Sequence, residues 1–292
     1  MKKNKFVAAV LIPSFIILIV FSLLPLIYGL GISLFNYNPS NIHNEFVGLS
    51  YYKKLLNDPV FWKAFKNSIF FTVVAVSLNI IISLFLASLI SSLPSQKLKS
   101  IFRVIIFLPC VAPMVGTAMV WKHGFLQTNG GLLNEFLKLL GKTPKNWLIS
   151  EEPLMAIIIV FTLWADIGYN LILFSAALEG VPDSLMEAAR LEGAGPVKSF
   201  FDVKLPLISR TFTFVAIMTV IDYLQMFAQF SVFAPAGGQN NAVMVLTNYI
   251  YRTSFNKFDK GYASAISTAL FFIILAVTLV QNKINKTDWS YD

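Results

Sequence analysis

Long runs of apolar residues, and not an alternation of period 2 or 3.6, dominate the pattern of this 292-residue chain. A helix needs about 20 consecutive apolar residues to cross a bilayer, and six segments reach that length. Because backbone amides in hydrocarbon must be bonded within their own segment, all six are predicted to be helices. They run approximately from Phe6 to Phe35, Asn67 to Leu93, Phe102 to Trp121, Leu154 to Leu178, Thr211 to Ala234, and Tyr262 to Gln281. The pattern predicts an all-α integral membrane protein with six transmembrane helices.

The composition agrees with this prediction and argues against several other kinds of protein. Hydrophobic residues make up 56% of the chain and charged residues only 13%. The net charge of +8 is scattered at the borders of the apolar runs, with no basic stripe interleaved with aromatics, so the expected surroundings are membrane lipid and not nucleic acid. The single cysteine, Cys110, excludes an intrachain disulfide and is interpreted as an inert packed thiol.

The sequence contains no recognisable catalytic motif. Gly141-Lys142-Thr143 ends like a phosphate-binding loop, but Phe136 stands where that loop needs its first glycine. Zinc-protease, nucleophile-elbow and dinucleotide-binding patterns are also missing. We therefore expect no enzyme activity, no cofactor and no metal in this chain. Active transport would then draw its energy from another subunit or from an ion gradient.

The hydrophilic stretch from Glu179 to Arg210, between the fourth and fifth apolar runs, is predicted to carry a helix of about two and a half turns. Ser184 and Glu187 fit a capping box at its start, and Gly193 fits the left-handed position after its end. The residues spaced to form one small face are Leu185, Ala188, Ala189 and Glu192. Such a face suits either a cleft of another protein or the chain's own bundle, and helix geometry leaves both open.

The same loop resembles the EAA loop of ABC importer membrane subunits, whose pattern is Glu-Ala-Ala, three residues, Gly, nine residues, Ile-x-Leu-Pro. Here Glu187-Ala188-Ala189 is followed after three residues by Gly193 and after nine more by Val203-Lys204-Leu205-Pro206. Val203 replaces the usual isoleucine and Glu192 the usual aspartate, while Arg210 stands where a second proline is frequent. The spacing matches in full over some twenty residues.

The resemblance extends along the chain and is closest to the sugar-transporting, maltose-type permeases. The segments that carry it include Leu23-Leu24-Pro25-Leu26, Phe107-Leu108-Pro109, Leu178-Glu179-Gly180-Val181-Pro182 and Gly261-Tyr262-Ala263-Ser264-Ala265, whereas Ala234-Pro235-Ala236 departs from the family pattern. It implies a type I ABC importer (MetI-like) transmembrane domain. Its expected divisions are 1–66, the first transmembrane helix and an external segment; 67–281, the permease core with the coupling loop 179–210; and 282–292, a cytoplasmic tail.

The resemblance also implies a function and a set of partners. The chain would be a permease subunit of an ATP-driven, binding-protein-dependent importer of a mono- or oligosaccharide or a glycoconjugate. Its partners would be a second homologous permease, a cytoplasmic ATPase dimer that binds ATP and Mg, an extracytoplasmic solute-binding protein and the sugar. It would lie in the bacterial cell membrane with both termini cytoplasmic, an orientation that charge alone leaves near a guess. The implied ATPase contacts are Glu187, Ala188, Ala189, Glu192 and Gly193.

Asp166 and Asp222 lie near the middle of their predicted spans. An ionisable group at that depth costs about 2.5 to 3.5 kcal/mol on insertion, so it usually faces a cavity or a partner. The polar residues on the same helical faces are Thr162, Tyr169 and Asn170 for Asp166, Gln225 and Gln229 for Asp222, and, as a weaker third stripe, Asn79 with Ser83. These faces either line a path for a polyhydroxylated solute or bond other helices, and both interpretations remain open.

Three other functions compete with the sugar importer. An ion-gradient-driven secondary transporter would use Asp166 or Asp222 as its coupling carboxylate, but the paired internal repeats typical of that class are not evident. An intramembrane enzyme would need a nucleophile–base pair or a metal motif, and neither is present in the sequence. An ABC importer of a non-sugar solute is the remaining alternative. The lack of Lys or Arg at midplane favours neutral or partly cationic sugars over phosphorylated ones.

Overall fold

The computed structural model describes residues 11–37, 39, 44–149 and 151–284, and this part of the chain is almost entirely helical. The helices are, in chain order, α1 (Leu11–Ile32), α2 (Ser50–Leu56), α3 (Pro59–Ser91), α4 (Gln96–Val111), α5 (Met114–Val120), α6 (Leu132–Leu139), α7 (Glu151–Glu179), α8 (Asp183–Leu191), α9 (Pro196–Ser199), α10 (Leu205–Leu207), α11 (Ser209–Leu224), α12 (Ala228–Phe233), α13 (Leu246–Tyr251) and α14 (Lys260–Ile284). Two short strands, β1 (Phe35–Asn36) and β2 (Glu45–Phe46), pair antiparallel. The start of the first predicted span and residues 285–292 of the predicted tail lie outside the described residues.

Short irregular helical segments join several of these elements. A π-helical segment lies within α1, and others follow α5, α9 and α13 without a break; two 3-10 turns follow α12. Their bounds are Ile19–Leu23, Trp121–Phe125, Phe200–Lys204 and Arg252–Asn256 for the π-helical segments, and Pro235–Gly237 and Gln239–Asn241 for the 3-10 turns. The chain from α9 to α10 therefore runs as one continuous helical segment of changing pitch.

Five helical segments in the described ranges are long and apolar enough to cross a bilayer, and the number is six if a bent pair of helices counts as one span. The five are Leu11–Ile32, Pro59–Ser91, Pro153–Glu179, Ser209–Phe233 and Lys260–Lys283. The pair is α4 with α5, the latter extended to Phe125, and the two helices are bent by 93°. The predicted all-α membrane fold is confirmed, and the bent pair lies where the third span was predicted.

The third predicted span, Phe102 to Trp121, is wrong as a single straight helix. It breaks at Ala112, whose backbone is extended (φ −73°, ψ 140°), so α4 ends at Val111. Ala112 precedes Pro113, and the proline ring disfavours a helical conformation in the residue before it. The bend thus has a local cause that can be read from two adjacent residues.

The chain forms two compact units, one from Met1–Trp62 with Leu246–Ile273, the other from Lys63–Val245 with Ile274–Asp292. The sequence-based division at residues 66 and 281 stays a prediction. In the larger unit, Phe161 of α7 is fully buried. Its ring lies 5.4 Å from that of Trp121 and 5.0 Å from that of Phe233, so aromatic packing joins the fourth span to the ends of the third and fifth.

In the smaller unit, Asp58 caps the start of α3. Its carboxylate accepts hydrogen bonds from the backbone N–H groups of Val60 (2.8 Å) and Phe61 (3.3 Å), and from the hydroxyls of Tyr249 and Tyr262. Burial raises the pKa of Asp58, but these four bonds outweigh it and hold the pKa below its ordinary value. Burial, and then the hydrogen bond to Asp58, raise the pKa of Tyr249.

Candidate functional site: a coupling helix and a polar intramembrane cavity

The predicted loop helix is present as α8, a nine-residue helix that ends in a Schellman motif. Gly193 adopts the left-handed conformation (φ +81°). Its N–H bonds the carbonyl of Arg190 at 3.0 Å, and the N–H of Ala194 bonds the carbonyl of Ala189 at 2.9 Å. These two bonds satisfy carbonyls that the helix end would leave open. The predicted length and glycine stop of this helix are confirmed.

The predicted capping box is wrong. Pro182 occupies the N-cap position with an extended backbone (ψ 131°), and no side chain caps the helix. Ser184 is therefore the second helical residue and not the residue before the helix, which removes the geometry that the box requires. Glu187 is exposed and makes no hydrogen bond or ion pair with any residue that the structure describes. Its carboxylate is left for solvent or for another chain.

The predicted small face of α8 is divided between two environments. Ala189 is buried, 9% exposed, so it packs against its own chain. Leu185, Ala188 and Glu192 are exposed. The exposed part of the helix is thus available to a partner, while Ala189 attaches it to the rest of the molecule.

Several exposed apolar side chains of this loop were missed by the sequence interpretation. Leu191, the last residue of α8, is 90% exposed, and Val197 and Phe201 are 70% and 59% exposed. Leu191 falls outside the i, i+3, i+4, i+7 set that starts at Leu185, and Val197 and Phe201 lie beyond the end of α8, so that pattern did not select them. The available signal was their apolar character in an otherwise hydrophilic stretch.

An ion-pair cluster holds the end of α7 where the loop begins. Glu179, the last residue of α7, accepts a hydrogen bond from the guanidinium of Arg103, and the amine of Lys99 lies 3.9 Å from the same oxygen. Arg103 and Lys99 belong to α4, so this cluster fixes α4 and α7 to each other beside the start of the loop.

A cavity of about 230 Å³ lies among α3, α4, α7 and α11 in the larger unit. Four of the six predicted path residues meet there. They are Asp166, Tyr169, Asn170 and Asp222. The other lining residues are Asn79, Cys110, Leu173, Val215, Met218, Thr219 and Tyr223. Cys110 is half-buried and borders the cavity, which the interpretation as a packed thiol did not anticipate.

Half of the polar groups in this cavity bond one another. The amide nitrogen of Asn170 donates to the side-chain oxygen of Asn79 at 2.8 Å and to the hydroxyl of Thr219 at 3.0 Å. The amide nitrogen of Asn79 donates to the Tyr223 hydroxyl at 2.7 Å. This network joins α3, α7 and α11. Tyr223 and Thr219 were missed by the sequence interpretation, although Thr219 lies one helical turn before Asp222.

The carboxylates of Asp166 and Asp222 and the phenol of Tyr169 take no part in that network. Neither Asp166 nor Asp222 has an ion-pair partner in the part of the chain that the structure describes, and Tyr169 is 56% exposed. The cavity lining contains no Lys or Arg. Its free groups are hydrogen-bond acceptors and one hydroxyl, which can bind hydroxyl and amine donors.

The predicted stripe of Asp222, Gln225 and Gln229 on one helical face is wrong. Helix α11 ends at Leu224 with Gln225 as its C-cap, and Phe227 is non-helical (φ −127°) before α12 begins. The helical register is therefore lost between the two glutamines. Gln229 is 2% exposed and its amide lies 3.5 Å from the Thr162 hydroxyl. Neither Gln225 nor Gln229 lines the cavity, and any role of theirs in a solute path stays a prediction.

The third stripe is also only partly present at the cavity. Asn79 lines it, whereas the Ser83 hydroxyl bonds the carbonyl of Ile80 in its own helix at 3.2 Å.

Residues 79–287 match the family described as the binding-protein-dependent transport system inner membrane component. The chain belongs to this family. The match covers the polar cavity, the loop from Glu179 to Arg210 and the whole of the last span. The resemblance first noted at the loop is confirmed.

Relatives of this permease include a probable ABC transporter permease protein, YurN, of Bacillus subtilis (strain 168), 31% identical over 98% of both chains. The sn-glycerol-3-phosphate transport system permease protein UgpA of Pectobacterium atrosepticum is 32% identical over 92% of this chain and 90% of the relative. The arabinooligosaccharides transport system permease protein AraP of Halalkalibacterium halodurans is 31% identical over 95% of this chain and 87% of the relative. The chain is thus a multi-pass transport permease and not an enzyme.

The fold of the permease also has solved counterparts. One is a chain of a bacterial alginate ABC transporter in complex with an alginate pentasaccharide-bound periplasmic protein, with a TM-score of 0.84 over 98% of this chain and 97% of that one. At 22% identity this likeness shows a shared fold. The MetI-like fold prediction is confirmed, and the secondary-transporter and intramembrane-enzyme alternatives lose their support.

A close helix contact in the permease was missed by sequence reasoning. A Cβ atom added to Gly168 of α7 would lie 2.6 Å from the carbonyl oxygen of Ile106 and from the Cα of Phe107 in α4, and 3.0 Å from the sulfur of Cys110. Only glycine permits this approach, which small residues provide in membrane helix packing. Gly168 therefore sets the position of Asp166 and Tyr169 relative to α4.

Proposed function

We propose that this permease is one half of the membrane channel of an ATP-driven importer that takes up a sugar or a sugar derivative. In this proposal a second homologous permease completes the path, and an extracytoplasmic binding protein delivers the solute. A cytoplasmic ATPase dimer binds ATP and Mg. The names of the relatives support the solute class: besides glycerol-3-phosphate and arabinooligosaccharides, one relative is a lactose transport system permease protein, LacF, of Rhizobium radiobacter.

The single observation that carries the proposal is the open surface of α8. Leu191 is 90% exposed and Leu185 is 44% exposed on a short helix of a hydrophilic loop, next to exposed Ala188 and to Glu187, which has no partner among the described residues. A short helix with exposed apolar anchors fits the helix-in-groove mode of recognition. The ATPase would supply the groove and a basic residue facing Glu187, and its closure would move the helix and the spans attached to it.

This assignment also fixes the proposed orientation. A loop that meets an ATP-binding subunit lies in the cytoplasm, and an even number of crossings then places both termini there too. Cysteines at Val197 (70% exposed) and Phe258 (73% exposed), in a chain with Cys110→Ser, are expected to react with a membrane-impermeant thiol reagent from opposite sides. Labelling of both from the same side would contradict the orientation.

The cavity residues support the proposed solute class. Asp166, Asp222 and Tyr169 offer acceptors and a ring to a polyhydroxylated solute, and an aromatic ring can pack on the apolar face of a sugar. The lack of Lys and Arg in the lining favours a neutral or partly cationic sugar over a phosphorylated one. A non-sugar solute remains the second candidate, because the same acceptors would bind an amine.

Site-directed crosslinking tests the docking half of the proposal. We expect cysteines at Ala188 and Leu191 to crosslink to the ATPase in native membranes. A cysteine at Leu139 is the matched control, because it is 85% exposed but lies in α6, one crossing away from the loop. Absence of ATPase crosslinks from both loop positions, with the complex shown to be assembled, would refute the proposed docking.

A further inference from the structure

A second and larger cavity, of about 820 Å³, lies beside the coupling loop and has no part in the proposed solute path. One wall is the loop-side end of α3, where Ile81, Phe85 and Leu89 contribute side chains that are 63%, 60% and 50% exposed. The segment that follows α8 forms the other wall, with Phe200 and Phe201 among its residues. We call this cavity the α3 groove. It is apolar along most of its length and open to the surroundings of the bundle.

Two cations are the only charged residues among those that line the α3 groove. They are Arg190, on α8, and Lys204, in the π-helical segment before α10. Neither has an ion-pair partner among the described residues. Arg190 is exposed and Lys204 is half-buried. The loop end of the groove therefore carries two positive charges that the described part of the chain does not compensate.

The dimensions of the groove match one leaflet of a bilayer. Its first wall extends from Ile81 in α3 to Ser92, the residue after the end of α3, a rise of about 17 Å at 1.5 Å per residue. Half of a hydrocarbon core of about 30 Å is about 15 Å. Because both cations come from the coupling loop, they lie at the end of the groove where the spans leave the membrane.

We propose that the α3 groove binds an anionic phospholipid of the leaflet on the loop side, with an acyl chain along α3 and the phosphate at Arg190 and Lys204. The apolar wall suits an acyl chain, and a guanidinium binds a phosphate through paired hydrogen bonds. Basic pockets between transmembrane helices recognise such head groups. Since Arg190 belongs to α8, the bound lipid would fix the coupling helix against the membrane surface.

Photolabelling of the full chain in lipid nanodiscs tests this inference. The probe is phosphatidylglycerol with a photoactivatable group in its acyl chain, and labelling is expected in the α3 segment 81–92. Unlabelled phosphatidylglycerol should compete and phosphatidylcholine should not. The double variant Arg190→Gln/Lys204→Gln should weaken the competition by about thirtyfold, at about 1 kcal/mol per cation. Lys198→Gln is the matched control, because Lys198 is exposed in the same loop but does not line the groove.

Several results would overturn the inference. Equal competition by phosphatidylcholine would make the groove an ordinary lipid-facing surface. Unchanged competition in the double variant would show that Arg190 and Lys204 do not form a head-group site. Loss of labelling in the complete transporter, together with a disulfide from Leu89→Cys to another subunit, would make the groove a protein interface. If the double variant does not fold, the inference is tested only by whether phosphatidylglycerol competes better than phosphatidylcholine for the native chain.

Discussion

The coupling helix and the intramembrane cavity use similar polar residues in opposite ways. On α8, Glu187 has no partner in the described chain, and the apolar Leu191 beside it is almost fully exposed. In the cavity, Asn170 and Asn79 are buried and bonded to each other and to neighbouring helices. The first region leaves its side chains open to solvent or to another molecule, whereas half of the polar groups of the second hold three helices together. A polar residue in a membrane span is therefore evidence of function only once its own bonds have been traced.

This contrast separates the cavity residues into two groups. Asn170, Asn79, Thr219 and Tyr223 form the bonded group, and Asp166, Tyr169 and Asp222 form the free group. Substitutions in the bonded group should lower the thermal stability more than the uptake, and substitutions in the free group should lower the uptake more than the stability.

The largest effect on stability is expected from Gly168→Ala. The added methyl group would meet backbone atoms of α4 at 2.6 Å, so α4 and α7 must separate, at a cost of about 1 to 3 kcal/mol. Thermal unfolding in detergent, with the second permease present, measures the loss. Gly116→Ala is the matched control, because a Cβ at Gly116 meets nothing within 4 Å. Equal stability of the two variants would contradict the close approach of α4 and α7.

The next effect is expected from Asp222→Asn in the free group. The change removes a charge from the cavity without changing the side-chain size, and a hydrogen bond to a charged group contributes about 1.5 to 3 kcal/mol. We expect uptake by the reconstituted importer to fall by about tenfold at limiting solute, with unchanged thermal unfolding. Unchanged uptake by Asp222→Leu would exclude Asp222 from the solute path.

A smaller effect, of the opposite kind, is expected from Asn170→Ala in the bonded group. It removes donors from bonds to Asn79 and Thr219, and hydrogen bonds between membrane helices contribute about 0.6 to 2 kcal/mol. Thermal unfolding should shift, while the solute concentration for half-maximal uptake stays close to that of the native permease. Tyr169→Phe provides the comparison: it should raise the solute concentration for half-maximal uptake and leave thermal unfolding unchanged. The division of the cavity fails if Asn170→Ala changes solute affinity without changing stability.

The smallest effect concerns Asp58, a carboxylate whose partners lie within its own chain. Asp58→Asn keeps an oxygen for the cap but removes the negative charge at the helix start and one of the two acceptor oxygens, so it should lower stability by about 0.3 to 1 kcal/mol at pH 7. Because hydrogen bonds lower the folded-state pKa of Asp58, its stabilisation is present above the unfolded-state pKa and disappears as the pH falls through the folded-state value. The native and variant unfolding temperatures should therefore converge as the pH falls below the lowered folded-state pKa of Asp58. A constant difference across the pH range would contradict the ionised cap.

Much of the fold could be predicted from the sequence, because each membrane span depends on its own apolar length. The break in the third span was also accessible, since Ala112 precedes Pro113. The break between α11 and α12 was not, because Gln225 to Phe227 contain neither glycine nor proline. The break accompanies the burial of Gln229 beside Thr162, a contact between distant parts of the chain that no local pattern reports.

The functional residues divide in the same way. The glycine stop of α8 is local chemistry, and Gly193 was predicted from its position in the chain. The error at the capping box arose because Ser184 and Glu187 have the spacing of the box but Pro182 takes the N-cap. The role of Gly168 and the bonds of Asn170 depend on neighbours more than 45 residues away, and no spacing rule reports them.

The central claim is that α8 transmits ATPase movement through contacts that its own chain leaves open, and Glu187→Gln tests it most directly. The measurement is solute uptake and stimulated ATP hydrolysis in the reconstituted importer, beside the yield and thermal stability of the assembled complex. Asp202→Asn is the control, because it removes one carboxylate from the same loop outside α8. We predict that Glu187→Gln impairs uptake by about tenfold, the value of losing one charge-assisted contact, while stability is unchanged. Equal losses of uptake and stability, or unimpaired uptake, would contradict the account.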